Sequence, residues 1–234
     1  MSEVTFIIPT IGRKTLGLSI SSLLKQDNPN WNAIIIFDGI EPNIKCIDPR
    51  ISILKCEKKG EGKNGSGNVR NYAVPFIETE WIAFLDDDDT IADDYVTCLQ
   101  KQIEETPDLD VLIFRMKHKF LGRIIPSLDK TEIKPGHVGI SFSLKTKIMK
   151  EDDHLFIPSG IEDYELLNTF LKNNYKIMFY PFVKYFVRSF PENIVEKGTS
   201  TTFNFEIEPT EPTEPTEPTE PTEPTEPIEP IEST

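Results

Sequence analysis

The strongest constraint on the fold is a series of short apolar runs alternating with stretches of helical spacing. Residues 4–8 (VTFII) form a run closed by Pro9, and residues 33–37 (AIIIF), 51–54 (ISIL), 81–85 (WIAFL) and 111–114 (VLIF) repeat the pattern. Between them Leu16, Ile20, Leu23 and Leu24 recur at helical spacing, and helices are expected over about 68–77 and 92–105. Strands that alternate with helices need crossover connections, which predicts an α/β domain with a mainly parallel sheet covered by helices on both faces. Residues 116–207 are less regular. Ile161, Tyr164, Leu167 and Leu171 mark one more helix, residues 176–180 and 183–187 read as strands, and this half is expected to build onto the first.

From Glu208 the chain reads EPT six times and then EPIEPIEST. A proline at every third position removes backbone donors and fixes φ, so an extended, disordered tail is expected, either a solvated spacer or a docking segment for a partner. The division is therefore a globular domain over 1–207 and a low-complexity tail over 208–234. Removing the tail's nine glutamates from the net charge of −14 leaves −5 for the globular part, which also holds every aromatic residue. With no basic surplus, nucleic-acid binding by phosphate neutralisation is disfavoured. Cys46, Cys56 and Cys98 have neither disulfide-framework nor zinc spacing and read as free thiols. No stretch has the length of a membrane span, and the N-terminus lacks the regions of a signal peptide, so the expected location is the cytoplasm.

In an open parallel sheet, ligands bind beyond the carboxyl ends of the strands. The polar residues that follow the apolar runs are Thr10, Asp38, the Gly-rich segment KKGEGKNGSGN and the acidic run Asp86–Asp89 in FLDDDDT. Adjacent carboxylates at a buried strand end repel one another, and a hard divalent cation such as Mg²⁺ or Mn²⁺ would relieve that repulsion. The competing explanation is an acidic turn capping the next helix, which needs one or two aspartates and not the whole cluster. Glu162, Asp163 and Glu165 either favour the positive end of a helix or supply a general base. In NGSGNVRNYAV the glycines would admit close approach of an anion to a helix start, with Arg70 adding charge, or would simply form a turn.

Taken together, VTFIIPTIGR, AIIIFDG, GSGNVRNYAV, WIAFLDDDD and IEDYELLNTFLKNNYKI resemble the family-2-type glycosyltransferases of GT-A fold, in the family's order over roughly residues 3–190. The resemblance implies a GT-A-like, Rossmann-type sheet and transfer of a sugar from a nucleoside-diphosphate donor, with UDP the commoner base. It implies that Pro9, Thr10, Asp38, Arg70, Asp86 and Asp87 bind the nucleotide sugar. Asp86-Asp87-Asp88 would be the DxD signature, with Asp86 and Asp88 in the shell of Mn²⁺ or Mg²⁺. Asp163 would be the general base of an inverting, hexosyltransferase-type displacement. The acceptor, whether glycan, protein or lipid-linked, stays open. Phe37 stands where the family often has a second acid, and His137 and His154 are the available histidines for a later metal ligand.

Two other readings compete. FLDDDDT also fits DxDxT, the nucleophile motif of haloacid-dehalogenase-type phosphatases, with Asp86 as nucleophile, Asp88 as acid and Thr90 behind. A catalytically inactive glycosyltransferase-like protein that keeps the fold for binding is the other.

Overall fold

The computed structural model describes residues 3–46, 48–60, 65–188 and 203–205. The repeat tail and the middle of the Gly-rich segment, residues 61–64, lie outside the described residues. One nine-stranded sheet organises the chain, flanked by helices. Its first half is β1 (Val4–Thr10), β2 (Trp31–Asp38), β4 (Ile51–Cys56) and β5 (Trp81–Phe84), in the spatial order β4-β2-β1-β5 with all three pairings parallel. A short β3 (Ile44–Cys46) leaves this sheet and pairs with β11 (Phe203–Phe205). All seven residues of β1 and all four of β5 are buried, which means both faces of the sheet are covered.

The helices follow the apolar spacing. In α1 (Leu16–Leu24), Leu16, Ser19, Ile20 and Leu23 are buried, a one-sided stripe. The chain then adds α2 (Ser66–Ala73) with a 3-10 turn at Val74–Phe76, and α3 (Tyr95–Glu105).

The second half departs from a purely parallel sheet. After β7 (Val111–His118), a hairpin returns as β8 (Ile124–Ile125), and β9 (Phe142–Lys145) then runs antiparallel between β5 and β7. Helices α4 (Thr146–Lys150) and α5 (Glu162–Lys172) follow. The two strands expected over 176–180 and 183–187 are one, β10 (Ile177–Val187), parallel to β7, with its register broken on either side of Val183. Pro181 falls within the break, where a residue without a ladder donor is tolerated. At the edge, β10 pairs antiparallel with β6 (Thr90–Ile91). The mixed α/β class holds, with the antiparallel β9 as its main addition. Cys56 and Cys98 are free thiols.

β9 is cemented by an aromatic contact, since the fully buried Phe142 ring meets Phe84 of β5 edge-on at 5.1 Å. Phe142→Ala should cost about 3–5 kcal/mol. Chemical denaturation would show this as a lower midpoint with an unchanged slope, and a loss below 1 kcal/mol on the order-of-magnitude scale for exposed sites would mean β9 is not a core strand.

Candidate active site

The order β4-β2-β1-β5 lines up four carboxyl ends on one rim, so the segments that follow them converge. A cleft of about 490 Å³ opens there, with Pro9, Thr10, Asp38, Gly60, Ser66 and the run Asp86–Asp89 among its walls. Thr10 and Asp87 lie on neighbouring strand ends, and the Thr10 hydroxyl donates to Asp87 Oδ2 at 2.6 Å. Gly12, at φ +79°, turns the chain so that Arg13 swings back over the same carboxylate. Its Nη1 lies 2.8 Å from Asp87 Oδ1 and 3.3 Å from Asp88 Oδ2.

The four aspartates are thereby sorted. Asp87 is buried between Thr10 and Arg13; burial pushes its carboxyl up to about 6 against the pull of Arg13 and the Thr10 hydrogen bond. Asp89 is also buried, accepts from the Arg188 backbone N–H at 2.8 Å, and is raised by burial and then by the charges of Asp86 and Asp88. Asp86 Oδ1 accepts from Arg70 Nη2 at 2.6 Å. Asp88, with 30% of its side chain exposed, is raised by burial and then by Asp86, and shares Arg13 Nη1 with Asp87 at the longer distance. The turn is pinned from α1 by Ser19, whose hydroxyl is 3.0 Å from the Asp86 carbonyl and 2.8 Å from that of Asp89.

Asp38 at the end of β2 receives Lys58 and the backbone N–H groups of Lys59 (2.6 Å) and Gly60 (3.1 Å). Burial alone would raise this carboxyl, but the Lys58 ammonium and the two N–H donors hold it below its usual value. Asp38 thus anchors the start of the Gly-rich segment as well as lining the cleft.

Arg70 is placed differently from the sequence expectation. Its guanidinium does not line the cleft; it is only 2% exposed and lies in the wall behind, bonded to Asp86 and, at 3.0 Å, to Glu162 Oε1. Ser66 Oγ donates to the same Glu162 oxygen at 2.8 Å. Beyond that wall is a second hollow of about 290 Å³, lined by Gly136, Val138, Glu162, Asp163 and Tyr164 among others. Asp163 Oδ1 is buried there without a hydrogen-bond partner among the described residues. Burial raises its carboxyl to about 7; Arg70 opposes the shift, while Asp86 and Glu162 add to it.

A hard cation on the cleft side would find oxygen ligands in Asp88, one of whose oxygens lies 3.3 Å from Arg13, and in the second oxygen of Asp86. Among the described residues no group of three or more His, Cys, Asp or Glu is placed to hold a metal ion. A magnesium-type ion that keeps waters and takes phosphate oxygens does not require such a group. Neither histidine completes it, because His154 packs against the rings of Phe170 and Tyr175 and His137 does not line the cleft. Arg13 and Lys58 line the cleft but are not singled out by the sequence, whereas Glu162, a general-base candidate there, instead pairs with Arg70 and Ser66. Arg13 had a local signal, its place just after Pro9-Thr10.

The sequence profile described as glycosyl transferase family 2 matches residues 5–158. The chain belongs to that family. Membership also removes the basis for the phosphatase reading, whose motif sits on a first strand, whereas here Asp86 follows β5. An Escherichia coli relative named UDP-Glc:alpha-D-GlcNAc-diphosphoundecaprenol beta-1,3-glucosyltransferase WfgD is 34% identical over 92 residues, 37% of this chain and 35% of that protein. The glycosyltransferase GlyG of Streptococcus pneumoniae is 29% identical over 122 residues, 48% of this chain and 39% of that protein. The chain thus matches well under half the length of these relatives. Among solved structures, S. aureus TarS 1–349 in complex with UDP superposes with a TM-score of 0.64 at 22% identity, covering 82% of this chain and 62% of that one. The mannosyltransferase PcManGT from Pyrobaculum calidifontis, in complex with GDP-Man and Mn²⁺, gives 0.62 at 16% identity over 82% of this chain and 58% of its own. Both show the GT-A-like fold.

A carboxyl raised from about 4 to about 7 keeps its proton longer in the folded chain than in the unfolded one. Its ionisation therefore costs stability as pH rises through that window, and the cost is absent below it. Asp163→Asn removes the ionisation. The variant's stability relative to the parent should rise by on the order of 2 kcal/mol between pH 5 and pH 8, about 3 °C or more in Tm. A difference that stays flat with pH would mean that Asp163 ionises normally.

Proposed function

We propose that this family member transfers a sugar from a nucleoside-diphosphate donor, with UDP the favoured base, to an acceptor hydroxyl with inversion at the anomeric carbon. The observation that carries the reading is the pairing of two hollows across one wall. On one side are carboxylates and Arg13, and on the other is Asp163, whose buried Oδ1 has no hydrogen-bond partner among the described residues and whose carboxyl is raised to about 7. A base near neutrality matches the requirement for accepting a proton from a hydroxyl in the transition state. That the relatives include a protein named for UDP-Glc, and the fold neighbours a UDP complex, supports the donor class.

In this mechanism Asp163 Oδ1 takes the acceptor's proton while the acceptor oxygen attacks the anomeric carbon from the side opposite the diphosphate. Arg13 shifts from Asp87 and Asp88 toward the diphosphate and offers its fork to the phosphate oxygens. A Mn²⁺ or Mg²⁺ ion held by Asp88 and Asp86 would supply neutralisation of the charge on the leaving nucleoside diphosphate. Pro9, Thr10 and Asp38 shape the nucleoside end, with Thr10 also fixing Asp87. Arg70 acts as a positioning residue, since it touches Asp86 and Glu162 and not the cleft. The globular unit is residues 1–207, with the repeat tail from 208 as an appendage that contacts an as yet unidentified partner or solvent.

Calorimetric titration with UDP and with GDP, each with and without Mn²⁺, tests the donor side. Metal-dependent binding of UDP that disappears in Asp88→Ala is expected, and Arg13→Ala should weaken it about tenfold. Failure of both nucleotides to bind would leave a protein that keeps the fold without donor chemistry. On the acceptor side, Asp163→Asn should lower kcat by about 10³-fold with donor affinity unchanged. Retention of kcat would remove Asp163 from the reaction.

A further inference from the structure

Residues 117–134 stand apart from the rest of this acidic chain. Lys117, Lys119, Arg123, Lys130 and Lys134 face two acids, Asp129 and Glu132, a local surplus of three positive charges in a chain whose net charge is −14. All five cations are exposed. Lys117, Lys119 and Lys130 form no ion pair with a described carboxylate, whereas Lys134 meets Glu132 at 2.6 Å. The same segment carries three exposed large apolar side chains: Leu121 at 76%, the most exposed such residue described, Phe120 at 64% and Leu128 at 62%.

The presentation is built. β7 and β8 pair through Met116–Ile125 and Lys117–Ile124, and Gly122, at φ +64°, closes the turn that puts Phe120 and Leu121 at its tip. A β-carbon on Gly122 would meet nothing within 4 Å, so the tip projects into open space. Leu128 is held out by Arg115, whose buried guanidinium donates to the carbonyls of Ser127 at 2.6 Å and Lys130 at 2.7 Å. The hairpin rises from the rim of the cleft, for the Lys119 N–H donates to the Val187 carbonyl at 2.9 Å and Val187 lines the cleft.

We infer that residues 117–134 dock the protein on the surface of an anionic lipid bilayer, with Phe120 and Leu121 entering the interface and the five cations facing the headgroups. Charge complementarity selects this occupant. A nucleic acid would satisfy the cations but leave Leu121 nothing apolar to enter, and a second copy would set two positive surfaces against each other. The remaining, acidic surface is repelled by the same membrane, which fixes the orientation and turns the rim of the cleft toward the bilayer. The docking stands independently of the transfer reaction.

The test is co-sedimentation of the full chain with vesicles of equimolar phosphatidylglycerol and phosphatidylcholine, against phosphatidylcholine alone, at about 100 mM salt. Binding to the anionic vesicles only, weakened by added salt, is expected. Phe120→Ser with Leu121→Ser, and separately Lys117→Glu with Lys130→Glu, should each reduce the bound fraction about tenfold without moving Tm or UDP affinity. Equal binding by the parent and the serine variant, or no binding of the parent to anionic vesicles, overturns the inference. So does self-association in sedimentation velocity that the serine variant abolishes, which would make the hairpin an interface between copies.

Discussion

A buried guanidinium is the interaction on which the site depends. Arg70 on α2 is removed from water, and a charge so placed is tolerated only when it is paired and well bonded. Its partners come from distant parts of the chain, Asp86 at the end of β5 and Glu162 at the start of α5, and the Phe156 ring lies 5.3 Å from the guanidinium carbon. Burial alone would lower its proton affinity, but the charges of Asp86, Asp163 and Glu162 outweigh that and raise it, so it stays charged at every accessible pH. Lysine would keep the charge but not the planar fork that reaches both acids. Because α2, β5 and α5 meet at this one group, the position of Asp163 relative to Asp86 is set by electrostatics across the wall as well as by packing.

The same economy explains why four adjacent aspartates coexist. Adjacent carboxylates cannot all be ionised in a dry site at low cost. Thr10 and Arg13 stabilise Asp87, Arg70 stabilises Asp86, the Arg188 N–H stabilises Asp89, and Asp88 is left at the cleft. Each neighbour is remote in sequence from the run it serves. The pattern therefore separates the buried Asp87 and Asp89, which hold the turn, from the part-exposed Asp86 and Asp88, on which the proposed binding role falls.

How much of this was legible in the sequence follows from the range of each interaction. The parallel half was legible because its strands are buried on both faces and read as unbroken apolar runs, and because the rim rule then placed Thr10, Asp38 and Asp86–Asp89 together. β9 was not, since FSLK is four residues of ordinary polarity that become buried only by insertion between β5 and β7. The two runs 176–180 and 183–187 read as separate strands because the apolar pattern breaks between them, where Pro181 is an irregularity within one strand. Arg70 reads as an anion contact because it follows glycines at a helix start; the acid that draws it inward, Glu162, lies 92 residues later. Burial of a long-range ion pair leaves no periodic trace in a single sequence.

The two hollows also differ in kind, and the difference bears on the proposed chemistry. The cleft is lined by charge, with Arg13 paired to Asp87 and Asp88, the contacts it gives up to phosphate in the proposed reaction. The Asp163 side is lined by Gly136, Val138 and Tyr164, with Glu162 tied back by Ser66 and Arg70. If Glu162 were released from that pairing, its charge would act on Asp163 with less compensation and raise the carboxyl further. If Arg70 stood closer to Asp163, the base would weaken instead. The wall thus holds Asp163 between two limits, dry enough to want a proton and near enough to a cation to give one up. That balance is a property of the Ser66–Glu162–Arg70–Asp86 chain and not of Asp163 alone.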